Sequence, residues 1–165
     1  MKGQWVKGDY VLTTRKTDLD MEKVFRFLTE ESYWGRGLTM ERWRRAVKFS
    51  PLCYGLYDSS FRREKGAEAG ITGVAGYRQI GFARVISDMA TFAYLTDVYL
   101  DREYRGKGLS LWMLTVIRSH PKLQGLRRFM LVTEDASGLY KKVGFSSLTQ
   151  SEHWMEDLNM DSGRK

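Results

Sequence analysis

Cysteine and histidine are scarce, with one of the first, Cys53, and two of the second in 165 residues. A single thiol cannot close an internal disulfide, and this set falls short of a Cys/His zinc site, so no metal is expected. No apolar run approaches the roughly 18 to 20 residues needed to cross a bilayer. Met1 to Thr13 has neither a signal-peptide core nor a small-residue cleavage site. These absences exclude a disulfide scaffold and a membrane protein, and they predict a soluble, cytoplasmic one. Hydrophobic residues, by contrast, make up 42% of the chain. That is enough for one substantial core, so residues 1–165 are expected to form one domain.

The formal charge of +7 favours an anionic partner. The basic residues are spread through Arg42 to Lys48, Arg62 to Lys65, Arg102 to Lys107, Arg118 to Arg128 and Lys141 to Lys142. A solvated basic surface explains most of them. With no recognition helix and no RNA-binding aromatic motif, nucleic acid is not expected as a partner.

Tyr10 to Thr14 reads as a strand, and Thr17-Asp18 as the cap of an amphipathic helix from Leu19 to Leu28. Ser32, Tyr33, Trp34, Gly35 and Gly37 form a loop. Thr39 then caps a second helix, Met40 to Phe49, which stops before Pro51. Leu52 to Tyr57 and Gln79 to Ile86 read as strands joined by a mobile hairpin loop at 59–76. Thr91 to Leu100 is expected to be the central strand, with strict alternation of its two faces. Leu109 to Ile117 reads as a buried helix ended by His120-Pro121, which looks like its C-terminal cap. Arg128 to Thr133 follows as a buried strand, Asp135 to Val143 as a short helix and Gly144 to Leu148 as a closing strand, with 159–165 a frayed tail. The fold class is α/β with a central mixed, mostly antiparallel sheet, in the order β-α-α-β-β-β-α-β-α-β.

Arg105-Gly106-Lys107-Gly108-Leu109-Ser110 joins the long strand to the buried helix. Gly106 and Gly108 allow backbone angles closed to other residues, so successive N–H groups can turn inward beside a helix N-terminus. Such a nest suits a pyrophosphate, and Arg105 and Lys107 add charge. It is neither a P-loop nor a GxGxxG fingerprint.

Arg105, Gly108 and Ser110 resemble the coenzyme A motif of the GNAT superfamily of N-acetyltransferases: Arg or Gln, any two, Gly, any one, Gly or Ala. Ser110 departs from the last position but is small. Val98-Tyr99-Leu100-Asp101 is similar to the family's fourth strand, which splays from the fifth and offers backbone groups to the pantetheine arm. Ala136-Ser137-Gly138-Leu139-Tyr140 with Gly144-Phe145 resembles its second signature, except that Thr133 stands where Asn is frequent.

The resemblance implies a GNAT fold, acetyl-CoA as co-substrate and transfer of its acetyl group to a primary amine by direct attack in a ternary complex. It also implies a homodimer in many members. Coenzyme A contacts are expected from Val98, Tyr99, Leu100, Arg105, Gly106, Lys107, Gly108, Leu109 and Ser110. Tyr140 is expected to protonate the departing thiolate, and the Val98 N–H to polarise the thioester carbonyl if the strand bulges there. Asp97, amid apolar neighbours, is either a general base with a raised pKa, a structural carboxylate bonded to a backbone N–H or an Arg, or an anchor for the substrate ammonium. Tyr33 and Trp34 are expected to line the acceptor pocket, with Tyr99 a further candidate. The pocket then suits a polyamine, an amino acid, an aminoglycoside-like compound or a peptide N-terminus. Cys53 is expected to be a buried, inert thiol, and His153 a residue able to reach the acceptor. The alternative is a non-catalytic module that senses acyl-CoA without turnover.

Overall fold

The computed structural model describes residues 3–61, 74 and 76–157. Among them six strands form one sheet in the order β1-β2-β3-β4-β5-β6: β1 Gln4–Lys7, β2 Tyr10–Thr13, β3 Leu52–Asp58, β4 Arg78–Ser87, β5 Phe92–Leu100 and β6 Arg128–Met130. Four successive neighbours pair antiparallel, and β6 joins β5 in parallel. The mixed, mostly antiparallel α/β sheet expected from the sequence is therefore present.

Among the described residues four helices cover the two faces: α1 Met21–Arg26, α2 Met40–Phe49, α3 Leu109–Arg118 and α4 Ser137–Lys141. On one face Val24 and Leu28, from the α1 segment, and Trp43 and Val47, from α2, pack on Cys53, Phe82 and Tyr99 of the sheet. On the other, Leu109, Met113, Leu114, Val116 and Ile117 of α3 pack on Leu12, Tyr54, Leu56, Ile80, Val85 and Leu95. Five buried apolar side chains on one ten-residue helix explain why α3 is apolar almost all round. At roughly 1.5–3 kcal/mol for each buried large apolar side chain, that face is a principal source of stability.

Several expected boundaries change. Residues Lys16–Asp18 form a 3-10 turn, and the cap of α1 is Asp20, whose Oδ1 accepts from the Lys23 N–H at 2.9 Å. The helix then widens into a π-helical turn, Phe27–Glu31, instead of stopping at Leu28. Thr39 caps α2 as expected, accepting from the Arg42 N–H at 3.3 Å. His120 caps the 3-10 turn Pro121–Leu123 that follows α3, its Nδ1 accepting from the Lys122 N–H at 3.2 Å.

The sheet differs most at its two ends. A first strand, β1, pairs with β2 outside the expected set; it is short and largely exposed, so its alternation is weak. The strand Thr91 to Leu100 is not central. It lies fifth of six, and the fully buried strand is β3. The buried strand expected to Thr133 stops at Met130 and is half-buried, leaving Val132 76% exposed. Gly144 to Leu148 forms no strand, because Phe145 turns back to bond the Tyr140 carbonyl through its N–H at 3.2 Å. Residues 62–73 and 75 of the expected hairpin loop, and the whole tail 159–165, lie outside the described residues.

Candidate active site

The β5–β6 ladder holds three residue pairs and ends at Tyr94 with Met130, while β5 runs on to Leu100. The sheet therefore splits over the second half of β5. Inside the split the β4–β5 register slips: Arg84 faces Thr96, but Phe82 faces Tyr99, so Asp97 and Val98 together oppose Ala83. This two-against-one arrangement is a β-bulge, and Asp97 carries it with φ at 54°. A non-glycine residue in that region costs roughly 1–2 kcal/mol, and aspartate is one of the types that tolerates it.

The bulge overturns the strict alternation expected for the strand. Ala93 and Leu95 face α3 before it, and Leu100 faces α3 after it. Tyr99 is swung to the other side, where it stacks on Phe27 at 4.2 Å and is 3% exposed. Its side chain is thus core rather than pocket lining.

Beyond β5 a 3-10 turn, Arg102–Tyr104, leads into the glycine turn. Gly106 and Gly108 have φ of 77° and 72°, and a side chain at either would meet nothing within 4 Å. The glycines are there for backbone direction and leave open space in front of the turn. Gly108 is the N-cap of α3, and no side chain caps that end. The first-turn N–H groups, which have no acceptor within a helix, are left for a ligand. Arg105 donates through Nε to the Leu100 carbonyl at 3.2 Å, and the Lys107 ammonium sits over the Tyr104 ring at 4.8 Å. Both cations therefore stand at the turn. Leu109 is buried and offers only its backbone. A pyrophosphate on the turn and a pantetheine arm in the split fit these residues.

The family model "Acetyltransferase (GNAT) domain" matches residues 68–147. A Gibberella zeae protein named "Putative acetyltransferase" is 34% identical over 148 residues, covering 84% of this chain and 79% of its own length. The chain belongs to the GNAT family of acetyltransferases. A solved GNAT-family "putative acetyltransferase" from Xanthomonas campestris superposes with a TM-score of 0.76 at 37% identity, over 91% of this chain and 93% of its own. The thialysine N-epsilon-acetyltransferase of Mus musculus is 33% identical over 66 residues, 38% of this chain and 39% of its own length.

In this GNAT chain the split brings together side chains from both faces of the sheet. Tyr33 and Trp34 stand at 41% and 44% exposure after the π turn, ring to ring at 4.8 Å. Gly35 is required there, since a Cβ would lie 2.2 Å from the Leu28 carbonyl oxygen. The Tyr33 hydroxyl reaches across to accept the Glu134 N–H, beyond β6, at 3.2 Å. Tyr140 comes from α4 on the opposite face and is half-buried. Burial, then Tyr33 and Asp135, push its pKa up to about 12, so it holds its proton at neutral pH. Tyr94 also joins the group: burial, then Asp97 and Tyr33, push its phenol up.

Asp97 is not in apolar surroundings. Its Oδ2 accepts from Arg84 Nε at 2.6 Å and its Oδ1 from Thr96 Oγ1 at 3.2 Å. The carboxylate bonded to an Arg, one of the three readings open from sequence, is the arrangement present. Cys53 is fully buried, and burial raises its thiol to about 11, which keeps it protonated. His153 does not approach the acceptor side. It lines a cavity of about 650 Å³ with Ala90, Phe92 and Trp154, at the far end of β5 from Asp97.

Sequence reasoning missed Tyr94 and Arg84. Tyr94 is one aromatic in a strand full of them. Arg84 did carry a signal, since a lone arginine between Ala83 and Val85 in an apolar strand needs a buried partner. Among the described residues no group of three or more His, Cys, Asp or Glu is arranged to hold a metal. No described helix is long and apolar enough to cross a membrane.

Proposed function

We propose that the chain transfers the acetyl group of acetyl-CoA to a primary amine by direct attack in a ternary complex. The observation that carries this reading is the split beside the bulge, on a strand that runs on toward the uncapped glycine turn. The turn binds the pyrophosphate through the N–H groups around Gly106 to Ser110, with Arg105 and Lys107 beside it. The backbone of Val98 to Leu100 lines the pantetheine arm.

Acetyl-CoA supplies an activated carbonyl. The residues then have three tasks. The Val98 N–H, at the bulge, donates to the thioester oxygen, where negative charge develops. Tyr140 holds a proton at its hydroxyl and delivers it to the departing sulfur. A phenol near 12 is a weak acid, so this delivery is concerted with cleavage of the carbon–sulfur bond. Tyr33 and Trp34 flank the amine, which arrives neutral and loses one proton to water as the new carbon–nitrogen bond forms, and water returns a proton to the Tyr140 phenolate. Asp97 acts as a structural group at the bulge, with both oxygens already engaged. The name of the Mus musculus relative, an N-epsilon-acetyltransferase, supports an aliphatic primary amine as acceptor.

Thiol release from acetyl-CoA, followed across polyamines, amino acids, aminoglycosides and peptide N-termini, tests the reading. Transfer to at least one class is expected. Tight acetyl-CoA binding with no thiol release for any amine would favour the acyl-CoA sensor instead.

A further inference from the structure

The bulge at Asp97 is held from outside its own strand. Arg84, directly opposite Thr96 on β4, donates through Nε to Asp97 Oδ2 at 2.6 Å and through Nη1 to the Ser50 hydroxyl at 3.0 Å. Ser50, the residue that ends α2, donates in turn to the Ala46 carbonyl at 2.8 Å. The Arg84 and Asp97 side chains are 13% and 10% exposed, so the pair is largely shielded from water. A continuous chain of bonds thus runs from the end of α2 through Arg84 to the one residue of β5 with a positive φ.

We propose that Arg84 is a positioning residue for acetyl transfer: it clamps Asp97, and with it the direction of the neighbouring Val98 N–H, to the rigid face formed by β4 and α2. This rests on the acetyl-transfer reading above. Two features of the contact argue for a clamp over simple charge balance. The planar guanidinium uses two different nitrogens on two different elements, which a single ammonium cannot reproduce. The residue it fixes is the strained one, where a small change in backbone angle redirects the next amide. An amide that misses the developing charge loses most of its contribution, and removing one such donor costs about 100- to 1000-fold in kcat.

The test combines steady-state kinetics, thermal melting and the carbonyl resonance of bound [1-13C]acetyl-CoA in the wild type, Arg84→Gln, Arg84→Lys and Thr96→Val. In Arg84→Gln, kcat should fall about 100-fold while KM for acetyl-CoA stays within about twofold. The bound carbonyl resonance should move back toward its position in free acetyl-CoA. Adding Asp97→Asn to Arg84→Gln should cause no further loss, because the two residues act as one unit. Arg84→Lys should regain most of the melting temperature and little of kcat.

A kcat within about threefold of wild type in Arg84→Gln, or an unmoved carbonyl resonance, would overturn the proposal. Should Arg84→Gln fail to fold, Thr96→Val still loosens the same carboxylate; unchanged kcat and resonance there would be equally fatal. A wild-type protein that binds acetyl-CoA and turns over no amine would remove the acetyl-transfer reading. The carbonyl resonance would then still report whether Arg84 directs the amide.

Discussion

The glycine turn before α3 and the cluster around Tyr33 are built in opposite ways. The turn is made of backbone contiguous in sequence, with Gly106 and Gly108 at positive φ and open space in front. The cluster is made of side chains drawn from the loop after α1, from β4, β5 and α4, and none of its members is close in sequence to all the others. The contrast teaches where each kind of recognition resides. A phosphate is held by amide groups that every residue carries, so the determinant is local conformation. In the proposed reaction the amine and the departing sulfur are addressed by particular side chains, whose meeting depends on a split sheet.

The sharpest way to break this comparison is at Tyr140. Tyr140→Phe should lower kcat by about 100- to 10,000-fold and leave the acetyl-CoA dissociation constant within about twofold, measured by single-turnover kinetics and calorimetry. Equal losses in binding and turnover would show that the cluster also holds the donor.

Gly108→Val probes the other side. A β-branched residue at φ 72° forces the turn to change. KM for acetyl-CoA should rise about tenfold, kcat should stay within about threefold, and stability should drop by roughly 1–2 kcal/mol. Chemical denaturation and steady-state kinetics check both.

Tyr33→Phe removes the acceptor of the Glu134 N–H that spans the split. A net hydrogen bond of about 0.5–1.5 kcal/mol predicts a two- to tenfold rise in KM for the amine and none for acetyl-CoA. Competition assays with both substrates varied would read the split.

The last effect is on stability alone, along its alkaline limb. Burial raises Tyr140 to about 12, and Tyr104 to about 12 as well, whereas an unfolded phenol ionises near pH 10. Above pH 10 the unfolded chain therefore binds fewer protons than the folded one, and stability falls as pH rises toward 12. Urea titrations across that window should show the fall. Tyr140→Phe should make it shallower, while Gly108→Val should lower stability equally at every pH.

How much of this was legible beforehand follows from the range of the forces involved. Met40–Phe49 and Leu109–Arg118 read correctly because their periodic apolar faces and stop signals are local. Gly106 and Gly108 read correctly because a positive φ is a property of one residue. The ends of the sheet did not. β1 is too exposed to show alternation, and Gly144 to Leu148 looked like a strand although Phe145 folds back on α4 and packs against Phe129 at 5.4 Å. Asp97 is the clearest case. Its neighbours along the chain are apolar or weakly polar, which left a base, a structural carboxylate and a substrate anchor all open; its neighbour across the ladder is Arg84, thirteen positions away.

By itself the sequence determined the family, the helix that follows the glycine turn and the residues that shape that turn, because each is set within a few successive positions. Tertiary structure alone decided that β5 lies fifth among the described strands, that its faces exchange at Asp97, and that Tyr33 comes near both Tyr94 and Tyr140. The reason is register. One extra residue in β5 turns every later side chain to the other face, and only the pairing with β4 reveals where that residue has been inserted.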